Sequence, residues 1–255
     1  MAVIEQFDRD SEKYLARHLT PEKLREKDRI LDLVNHKKRY HRVLDIGCGP
    51  GTISKDLLGI SEEVQGIDIS GDMVRIAREK FKEPELCSRI HFDLGDAENL
   101  KFPNNHFDAV FCLGVLRYLD SWENGLKEIY RVLKPDGVIV VTFYSRYSLF
   151  WFSMVFLYRP LLPFISLIKR RTLKELINKY KAEPLPFSYK KFRSVFANTG
   201  FTHSVTFHSG MDMFPLNRLL PKLSRSIYLK TESAFHDSDI LGWMGSICIV
   251  KGVKK

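Results

Sequence analysis

Short, largely apolar runs alternate with helix-like segments along the first 143 residues of the chain. The runs cover residues 43–46, 64–69, 89–92, 109–113 and 138–143. Each run has the length of a buried strand, and between the runs apolar positions recur at helical spacing. Strands that alternate with helices predict an α/β fold with a parallel sheet.

Helices are predicted where a capping residue precedes an apolar stripe. Thr20 has the position of an N-cap, with Pro21 at the first helical position behind it. The predicted helices cover residues 21–37, 52–58, 70–80, 122–133 and 189–200, and two further strands are predicted at 202–207 and 243–251. These elements suffice for one α/β domain with a full core.

A glycine-rich turn follows the first predicted strand. The sequence V-L-D-I-G-C-G-P-G-T-I-S spans residues 43–54 and contains Gly47, Gly49 and Gly51. Glycines at this spacing let the backbone turn sharply and approach a ligand, and the helix start behind them presents free N–H groups. A dinucleotide fold has G-x-G-x-x-G instead. Asp45 precedes the turn, and its negative charge favours a cationic ligand over a pyrophosphate.

This turn and three later segments resemble the class I S-adenosylmethionine (SAM) methyltransferases. V-L-D-I-G-C-G-P-G resembles their motif I, and the D-I-S-x-x-M-x-x-x-A-R pattern from Asp68 resembles their second motif. G-D-A-E-N-L-K-F-P from Gly95 resembles the ubiquinone/menaquinone-type members, and L-K-P-D-G-V-I-V-V-T resembles their strand-five motif. The resemblance is continuous over residues 43–143, about two-fifths of the chain.

The resemblance implies a Rossmann-like, seven-stranded sheet that is mostly parallel, with an antiparallel last strand and helices on both faces. We expect one domain over residues 1–255. An N-terminal helical arm would occupy 1–40, and two insertions would occupy 144–186 and 209–242. Asp136 replaces a glycine of the family's turn before strand five, and aspartate tolerates the left-handed backbone that such a turn needs.

The resemblance also implies SAM as the cofactor and identifies the residues that would hold it. Asp68, at a strand tip, would accept hydrogen bonds from the ribose hydroxyls, with Ile69 packed on the adenine. Asp96 would accept the exocyclic amine of adenine, beside Ala97, whereas Glu98 has an alternative role as a helix-start carboxylate. The full predicted set is Asp45, Gly47, Cys48, Gly49, Gly51, Asp68, Ile69, Asp96, Ala97, Leu113 and Gly114. We predict no metal site.

The sequence shows no catalytic triad, as expected for methyl transfer, in which the protein mainly aligns the acceptor, the methyl carbon and the sulfur. The candidate pocket residues are Tyr14, Arg117, Tyr118, Tyr144 and His208. Tyr14 matches an arm that closes over the cofactor in relatives, or it packs on the domain as part of a surface helix. Many relatives carry a histidine pair near Arg117–Tyr118, and its absence here leaves the general base open.

The insertion at 144–186 is apolar in its first half and a basic amphipathic helix in its second half. Arg159 would cost roughly 2.5–3.5 kcal/mol within a membrane span, and Pro160 and Pro163 break a helix, so a transmembrane segment is disfavoured. Two interpretations remain. Residues 149–181 dock on an anionic membrane surface, or the insertion is a lid over the substrate pocket. The oligomeric state stays open.

Composition narrows the function classes. A net charge of +9 favours anionic surroundings. Four cysteines without a C-x-x-C pair, and an N-terminus unlike a signal peptide, favour a cytoplasmic protein, either free or peripheral at the membrane. The resemblance implies methyl transfer, and the apolar and basic insertion at 144–186 favours a small hydrophobic or lipid-linked acceptor.

Three alternatives are retained. An RNA methyltransferase would use the positive charge, but the chain lacks the Asn/Asp-Pro-Pro-aromatic motif that grips a flipped base, so nucleic acid is a disfavoured partner. A SAM-binding regulatory protein without turnover would keep the same binding residues. An NAD oxidoreductase ranks last because of the glycine spacing and Asp45.

Overall fold

The structure is a computed structural model that describes residues 21–34, 39–144, 160, 188–209 and 247–255. The helices are α1 (Pro21–Val34), α2 (Thr52–Leu57), α3 (Gly71–Lys80), α4 (Pro84–Cys87), α5 (Trp122–Val132) and α6 (Tyr189–Asn198). The strands are β1 (Tyr40–Ile46), β2 (Ser61–Asp68), β3 (Ile90–Leu94), β4 (Phe107–Leu113), β5 (Leu133–Tyr144), β6 (Phe201–Ser209) and β7 (Ile247–Lys254). A 3₁₀ turn, Leu116–Tyr118, follows β4.

The strands form one seven-stranded sheet in the order β3-β2-β1-β4-β5-β7-β6. β1 pairs in parallel with both β2 and β4, while β3 joins β2 and β5 joins β4, also in parallel. One strand of the sheet is antiparallel. The predicted Rossmann-like α/β fold is therefore confirmed. From β1 the chain proceeds to β2 on one side and later returns to β4 on the other, and in such folds ligands bind at the carboxyl ends of the strands beside this switch.

The centre of the sheet is buried on both faces, which explains the unbroken apolar runs in the sequence. Val43 and Leu44 of β1 are fully buried, as are residues 109–112 of β4. The amphipathic helix α5 adds Leu126 and Ile129 to this core. The tips of the central strands, where the predicted site lies, are therefore anchored in a close-packed interior.

Several strands are longer than the apolar pattern predicts. β1 begins at Tyr40 rather than at residue 43, and β2 begins at Ser61 rather than at residue 64. At these amino-terminal ends the backbones stay in register while the side chains reach solvent, and Arg42 forms a 3.1 Å ion pair with Glu63. β7 extends to residue 254 instead of 251, and the first four residues of the predicted strand, 243–246, lie outside the described part.

The turn predicted before β5 is part of that strand. Phe107 of β4 faces Leu133, and two residues later Ala109 faces Val138, so the register shifts and the intervening residues of β5 bulge outward. Asp136 lies in this bulge with a φ angle of 60°. Its left-handed backbone is the one predicted for the residue that replaces the glycine of the family.

The chain divides into two compact units. The first comprises Met1–Thr142, Arg193–Thr206 and Ile249–Lys255 and contains the glycine-rich turn. The second comprises Phe143–Phe192 and Phe207–Cys248. Within the second unit the rings of Phe143 and Phe192 pack with their centroids 4.4 Å apart. The single-domain organisation and the bounds of the two insertions stay predictions.

Within the described residues, no helix combines the length and the apolar character needed to cross a bilayer. The N-terminal arm up to residue 20, with Tyr14, lies outside those residues. The segment 149–181, on which the prediction of membrane docking depends, also lies outside them apart from Pro160. The proposed roles of both segments therefore stay predictions.

Two lysines of β7 connect this strand to distant elements. Lys254 is 8% exposed, and its ammonium group donates to the carbonyl oxygens of Tyr130 at 2.8 Å and Leu133 at 2.7 Å. Lys251 donates to the carbonyl of Leu33, near the end of α1, at 2.7 Å. A buried ammonium group is tolerated only with such partners. β7 is thus held by hydrogen bonds from its lysine side chains as well as by backbone pairing with its neighbours in the sheet.

Candidate active site

The glycine-rich turn connects the carboxyl end of β1 to the start of α2. Gly47, Gly49 and Gly51 have φ angles of 68°, 52° and 72°, all in the left-handed region. The position of Gly51 is also crowded, because a Cβ atom there would lie 2.6 Å from the Phe81 ring and 2.8 Å from the Phe92 ring. Residue 51 must therefore be glycine for its backbone angle and for space.

Four backbone amides of this turn are bonded within the protein. Those of Gly47 and Cys48 both donate to the carbonyl of Ile67 at the end of β2, at 2.8 and 3.0 Å. The Gly49 amide donates to the Asp68 carboxylate at 2.8 Å, and the Gly51 amide donates back to Cys48 at 3.0 Å. A dinucleotide loop uses such amides to hold a pyrophosphate. These four are engaged elsewhere, which argues against an NAD site.

Asp68 is held in a fixed orientation at the tip of β2. One carboxylate oxygen accepts from the Gly49 amide at 2.8 Å, and the other accepts from the Ser70 amide at 2.9 Å. Each oxygen has a second lone pair, so the half-buried carboxylate can accept further hydrogen bonds from a ligand diol. Ile69 follows and is 44% exposed, as a residue that packs on a ligand ring requires.

Asp45 lies beneath the turn rather than on its surface. The side chain is 3% exposed, and its carboxylate accepts a hydrogen bond from the Ser54 hydroxyl of α2 at 2.5 Å. Burial raises the pKa of Asp45 to about 6; the hydrogen bond from Ser54 opposes the shift, and the charge of Asp68 adds to it. A buried carboxylate of this kind favours a nearby positive charge. Direct contact of Asp45 with a cofactor stays a prediction.

The tip of β3 forms a tight loop from Asp96 to Asn99. The Asp96 carboxylate accepts from the Glu98 amide at 2.9 Å, and the Asn99 amide donates to the Asp96 carbonyl at 3.1 Å. Asp96 is exposed and Ala97 is buried. Glu98 binds two amides immediately before α5, those of Asp120 and Ser121. Glu98 begins no helix of the described residues, and it meets the alternative expected for it only in space, by accepting from the two amides that precede α5.

The tip of β4 lies against the glycine-rich turn. Gly114 has a φ angle of 74°, and its amide donates to the Thr142 hydroxyl of β5 at 2.8 Å. Among the described residues, no heavy atom beyond Gly114 and its chain neighbours lies within 4 Å of a Cβ position there, so this part of the structure leaves space beside Gly114. The next residue, Val115, packs so closely on Gly47 that any Cβ at position 47 would overlap it. Two strand tips thus border one open surface.

Arg117 and Tyr118 lie in the 3₁₀ turn after β4. The guanidinium carbon of Arg117 lies 5.3 Å from the centroid of the Tyr118 ring, a cation–π distance. Tyr118 is 37% exposed, and Leu94 at the tip of β3 is 65% exposed. With Ile69, these are the exposed large hydrophobic residues of the described part of the chain. Ile69 and Leu94 lie at the carboxyl ends of β2 and β3, and Tyr118 lies in the turn after β4. Apolar surface concentrated at one edge indicates a ligand site.

Comparisons with known proteins agree with this geometry. A family model described as "Methyltransferase domain" matches residues 44–141. The ubiquinone/menaquinone biosynthesis C-methyltransferase UbiE of Geotalea daltonii is 30% identical over 172 residues, which are 64% of this chain and 71% of that protein. Its counterpart from Azotobacter vinelandii is 30% identical over 180 residues, 68% of this chain and 70% of that protein. The chain belongs to the class I SAM-dependent methyltransferases.

Solved structures share the fold of this methyltransferase. A SAM-dependent methyltransferase of Thermotoga maritima has a TM-score of 0.62 at 19% identity and covers 98% of both chains. The N-methyltransferase NodS of Bradyrhizobium japonicum, in complex with S-adenosylhomocysteine (SAH), has a TM-score of 0.61 at 12% identity, over 96% of this chain and 97% of that one. The [4+2]-cyclase SpnF has a TM-score of 0.59 at 19% identity, over 90% and 80%. At these identities the likeness shows the fold alone, and the fold does not fix the acceptor.

The structure brings most predicted cofactor residues of the methyltransferase to one edge. The three glycines of the turn, Asp68, Ile69, Leu113 and Gly114 all lie at the tips of β1, β2 and β4, and Asp96 and Ala97 lie at the tip of β3. Their contacts with a cofactor stay predictions. Tyr144 and His208 are described only as backbone positions in β5 and β6.

Sequence reasoning missed two polar residues that support the site. Ser54 is fully buried and donates to Asp45, and Thr142 is 4% exposed and holds the Gly114 amide. Thr142 interrupts the apolar run V-I-V-V-T-F, and Ser54 lies on the buried face of α2. A polar residue at a buried position of a strand or helix predicts a hydrogen-bond partner, and that signal could have identified both.

Neither thiol near the site is a nucleophile. Burial raises the pKa of Cys48 in the turn and of Cys112 in β4 above the ordinary value, so both stay protonated. In the described part of the chain, no group of three or more His, Cys, Asp and Glu side chains could hold a metal ion. The described site therefore offers orientation and charge rather than covalent chemistry.

The ionisation of Asp45 should make SAM binding depend on pH. Its folded pKa, about 6, is raised above the ordinary 3.8, so its contribution to stability is complete below about pH 4 and is lost as the pH rises through 6. The difference between these two pKa values corresponds to roughly 3 kcal/mol of the free energy of unfolding at low pH. A cationic ligand favours the ionised form, so titration calorimetry should show SAM binding about tenfold tighter at pH 7.5 than at pH 5.

The Asp45→Asn variant is the control for this titration. Its SAM affinity should stay constant over the same pH range, because the titrating group is gone while Ser54 can still donate to the amide oxygen. SAH lacks the sulfonium charge and should show a weaker pH dependence with the wild-type protein. A wild-type SAM affinity that does not change between pH 5 and pH 7.5 would contradict the assignment.

Proposed function

We propose that this methyltransferase holds SAM along the carboxyl ends of β1 to β4. The observation that carries the proposal is the Asp68 carboxylate, which the Gly49 and Ser70 amides hold ready to accept hydrogen bonds from the ribose. Asp96 accepts the adenine amine, and the Ala97 amide serves a ring nitrogen. The glycine-rich turn, with Asp45 beneath it, lies beside the cationic methionine part. Ile69, Leu113 and Gly114 supply the remaining walls.

The acceptor in this proposal is a quinol with an isoprenoid-type tail, methylated on a ring carbon. This rests on the relatives, which are named ubiquinone/menaquinone biosynthesis C-methyltransferases and, in Leptospira interrogans, a demethylmenaquinone methyltransferase. The Leptospira protein is 37% identical over 114 residues, 44% of this chain and 46% of that protein. The exposed apolar side chains at the same edge, Leu94 and Tyr118 among them, are compatible with such an acceptor.

Methyl transfer from SAM requires little from the protein beyond alignment of the methyl group and the acceptor atom. SAM supplies a methyl group activated by its sulfonium, and the protein holds the acceptor carbon in line with it and excludes water. The Arg117 side chain offers N–H donors and no acceptor. In this proposal its charge holds an anionic acceptor oxygen, with the Tyr118 ring beside it. A quinol that has lost a phenolic proton to solvent is a stronger carbon nucleophile. Its ring carbon would take the methyl group as SAH leaves, and the hydrogen of that carbon would return through water to the phenolic oxygen, which restores the aromatic ring.

A turnover assay tests the proposal directly. Purified protein is incubated with SAM that carries a trideuterated methyl group and with a short-tailed demethylmenaquinol kept reduced. Mass spectrometry with fragmentation then locates the label. We expect labelled product on the ring carbon with wild-type protein and far less with Asp68→Ala at the same subsaturating SAM concentration. In parallel reactions, total RNA or a phospholipid extract replaces the quinol as the acceptor.

Each result of the assay discriminates between the functions considered. Label on the quinol ring supports the proposal. Label on a hydroxyl oxygen or on lipid would show that the acceptor differs from the proposed ring carbon. Label in RNA would favour the RNA methyltransferase. SAM binding in calorimetry without transfer to any acceptor would favour a regulatory SAM-binding protein. Liposome sedimentation of the wild type and of a variant lacking residues 149–171 separately tests whether the insertion docks on anionic membranes or acts as a lid.

A further inference from the structure

The 3₁₀ turn that carries Arg117 and Tyr118 is attached at both ends to the proposed cofactor loops. At its start the Val115 side chain packs on Gly47 of the glycine-rich turn. At its end the amides of residues 120 and 121 are bound by Glu98, which belongs to the loop proposed to hold adenine. The 3₁₀ turn, which faces the acceptor in our proposal, is therefore held between two segments that are proposed to bind the cofactor.

Glu98 makes the second attachment with both carboxylate oxygens. Oε2 accepts from the Asp120 amide at 2.9 Å, and Oε1 accepts from the Ser121 amide at 2.8 Å. Ser121 is the N-cap of α5, and its hydroxyl accepts from the Asn124 amide at 3.3 Å. A carboxylate that accepts two amides at a helix start forms charge-assisted bonds favoured by the helix dipole. The attachment is therefore stronger than a single neutral hydrogen bond.

The other side of Glu98 is fixed to the proposed adenine contacts. Its own amide donates to the Asp96 carboxylate at 2.9 Å, with Ala97 between them in the chain. The carbonyl of Ala97 lies 3.8 Å from a Cβ position at Gly125 of α5, so this loop also packs on the helix. A ligand that fixes Asp96 and Ala97 thereby fixes the backbone from which the Glu98 side chain reaches the next turn.

We propose that Glu98 is a positioning residue that couples occupancy of the adenine site to the 3₁₀ turn at 116–118. Binding of SAM or SAH orders the 96–98 loop. The hydrogen bonds of the Glu98 carboxylate then restrict the backbone of residues 120 and 121. The turn with Arg117 and Tyr118 is then held in one arrangement for the acceptor. Coupling is reciprocal, so the acceptor in turn strengthens cofactor binding. The inference rests on the proposed cofactor contacts of Asp96 and Ala97.

Amide hydrogen exchange of the full chain, with and without SAH, tests the coupling without an acceptor. In the wild type we expect SAH to slow exchange at least fivefold in peptides that cover 47–51 and 116–121. In Glu98→Gln the slowing should persist at 47–51 and disappear at 116–121, because one amide oxygen cannot replace a carboxylate bound to two donors. Glu85→Gln in α4, an exposed carboxylate that precedes β3, is the matched control and should behave like the wild type.

Steady-state kinetics on the demethylmenaquinol separate positioning from a purely structural role. Glu98→Gln should raise the acceptor KM at least fivefold at saturating SAM and leave the Kd of SAH, measured by calorimetry without acceptor, within twofold of the wild type, whereas general destabilisation would weaken both. Glu98→Asp, which keeps the charge but shortens the side chain, provides a second variant with the same expected pattern. It also serves in the exchange experiment where Glu98→Gln does not fold.

Two outcomes would overturn the inference and are distinguishable. SAH-dependent protection at 116–121 that is as large in Glu98→Gln as in the wild type would show that Glu98 carries no coupling, while the cofactor proposal stands. Absence of SAH-dependent protection at 47–51 in the wild type, with no binding heat in calorimetry, would remove the cofactor proposal and the coupling together.

Discussion

Replacement of Asp68 by alanine should weaken SAM and SAH binding at least a hundredfold. The variant loses the charged acceptor for the two ribose hydroxyls, and a hydrogen bond to a charged group contributes about 1.5–3 kcal/mol. Two such bonds correspond to at least about 3 kcal/mol, or more than a factor of 100 in Kd. The Gly49 amide also loses its acceptor, which loosens the glycine-rich turn. Titration calorimetry with SAH measures the change without turnover.

A matched carboxylate variant controls for a general change in charge. Asp93, in the neighbouring strand β3, pairs with Arg78 at 2.7 Å and has no contact with the turn among its bonded partners. Asp93→Ala should bind SAH within about twofold of the wild type. An Asp68→Ala protein that unfolds like the wild type in urea and binds SAH with similar affinity would exclude Asp68 as the ribose ligand.

Gly51→Ala should destabilise the protein by roughly 2–5 kcal/mol and abolish SAM binding. A left-handed backbone costs an alanine about 1–2 kcal/mol, and residue 51 has a φ angle of 72°. The new methyl group would also lie 2.6 Å from the Phe81 ring and 2.8 Å from the Phe92 ring. Overpacking of this kind costs about 1–3 kcal/mol. Urea unfolding measures the loss of stability.

Gly71→Ala is the matched glycine control. Gly71 is the first residue of α3, and no atom of another segment in the described part of the chain lies within 4 Å of its Cβ position. Alanine is a better helix former than glycine, so this variant should be as stable as the wild type or slightly more stable. If Gly51→Ala lost less than about 1 kcal/mol, the backbone of the turn would have to differ from the one described.

The fold could be predicted because short segments of the sequence indicate its strands and its glycine-rich turn. Fully buried strands read as apolar runs, and the glycine-rich turn carries its own spacing, so β1 to β5 and the cofactor edge follow from segments of a few residues. Strand ends were harder to predict. At Arg42 and Glu63 charged side chains reach solvent while the backbone still pairs, and an apolar pattern does not detect such positions.

The supports of the site could not be predicted in the same way. Thr142 bonds the amide of a residue 28 positions earlier, and Glu98 bonds amides 22 and 23 positions later. Each pair depends on strand order, which brings the tips of β3, β4 and β5 and the start of α5 together. A buried polar residue shows in the sequence that a partner exists, but only the topology identifies the partner.

The position of β7 in the sheet has a consequence for synthesis on the ribosome. β7 is the last strand in sequence, yet it lies between β5 and β6. While the chain emerges, β6 has no neighbour in the sheet, and β5 presents an open edge until Ile247 and the residues after it are released. Open edges recruit other strands, and nascent chains are exposed to such pairing. We therefore expect chains that stall before residue 247 to aggregate and to bind chaperones, although the glycine-rich turn has already been made.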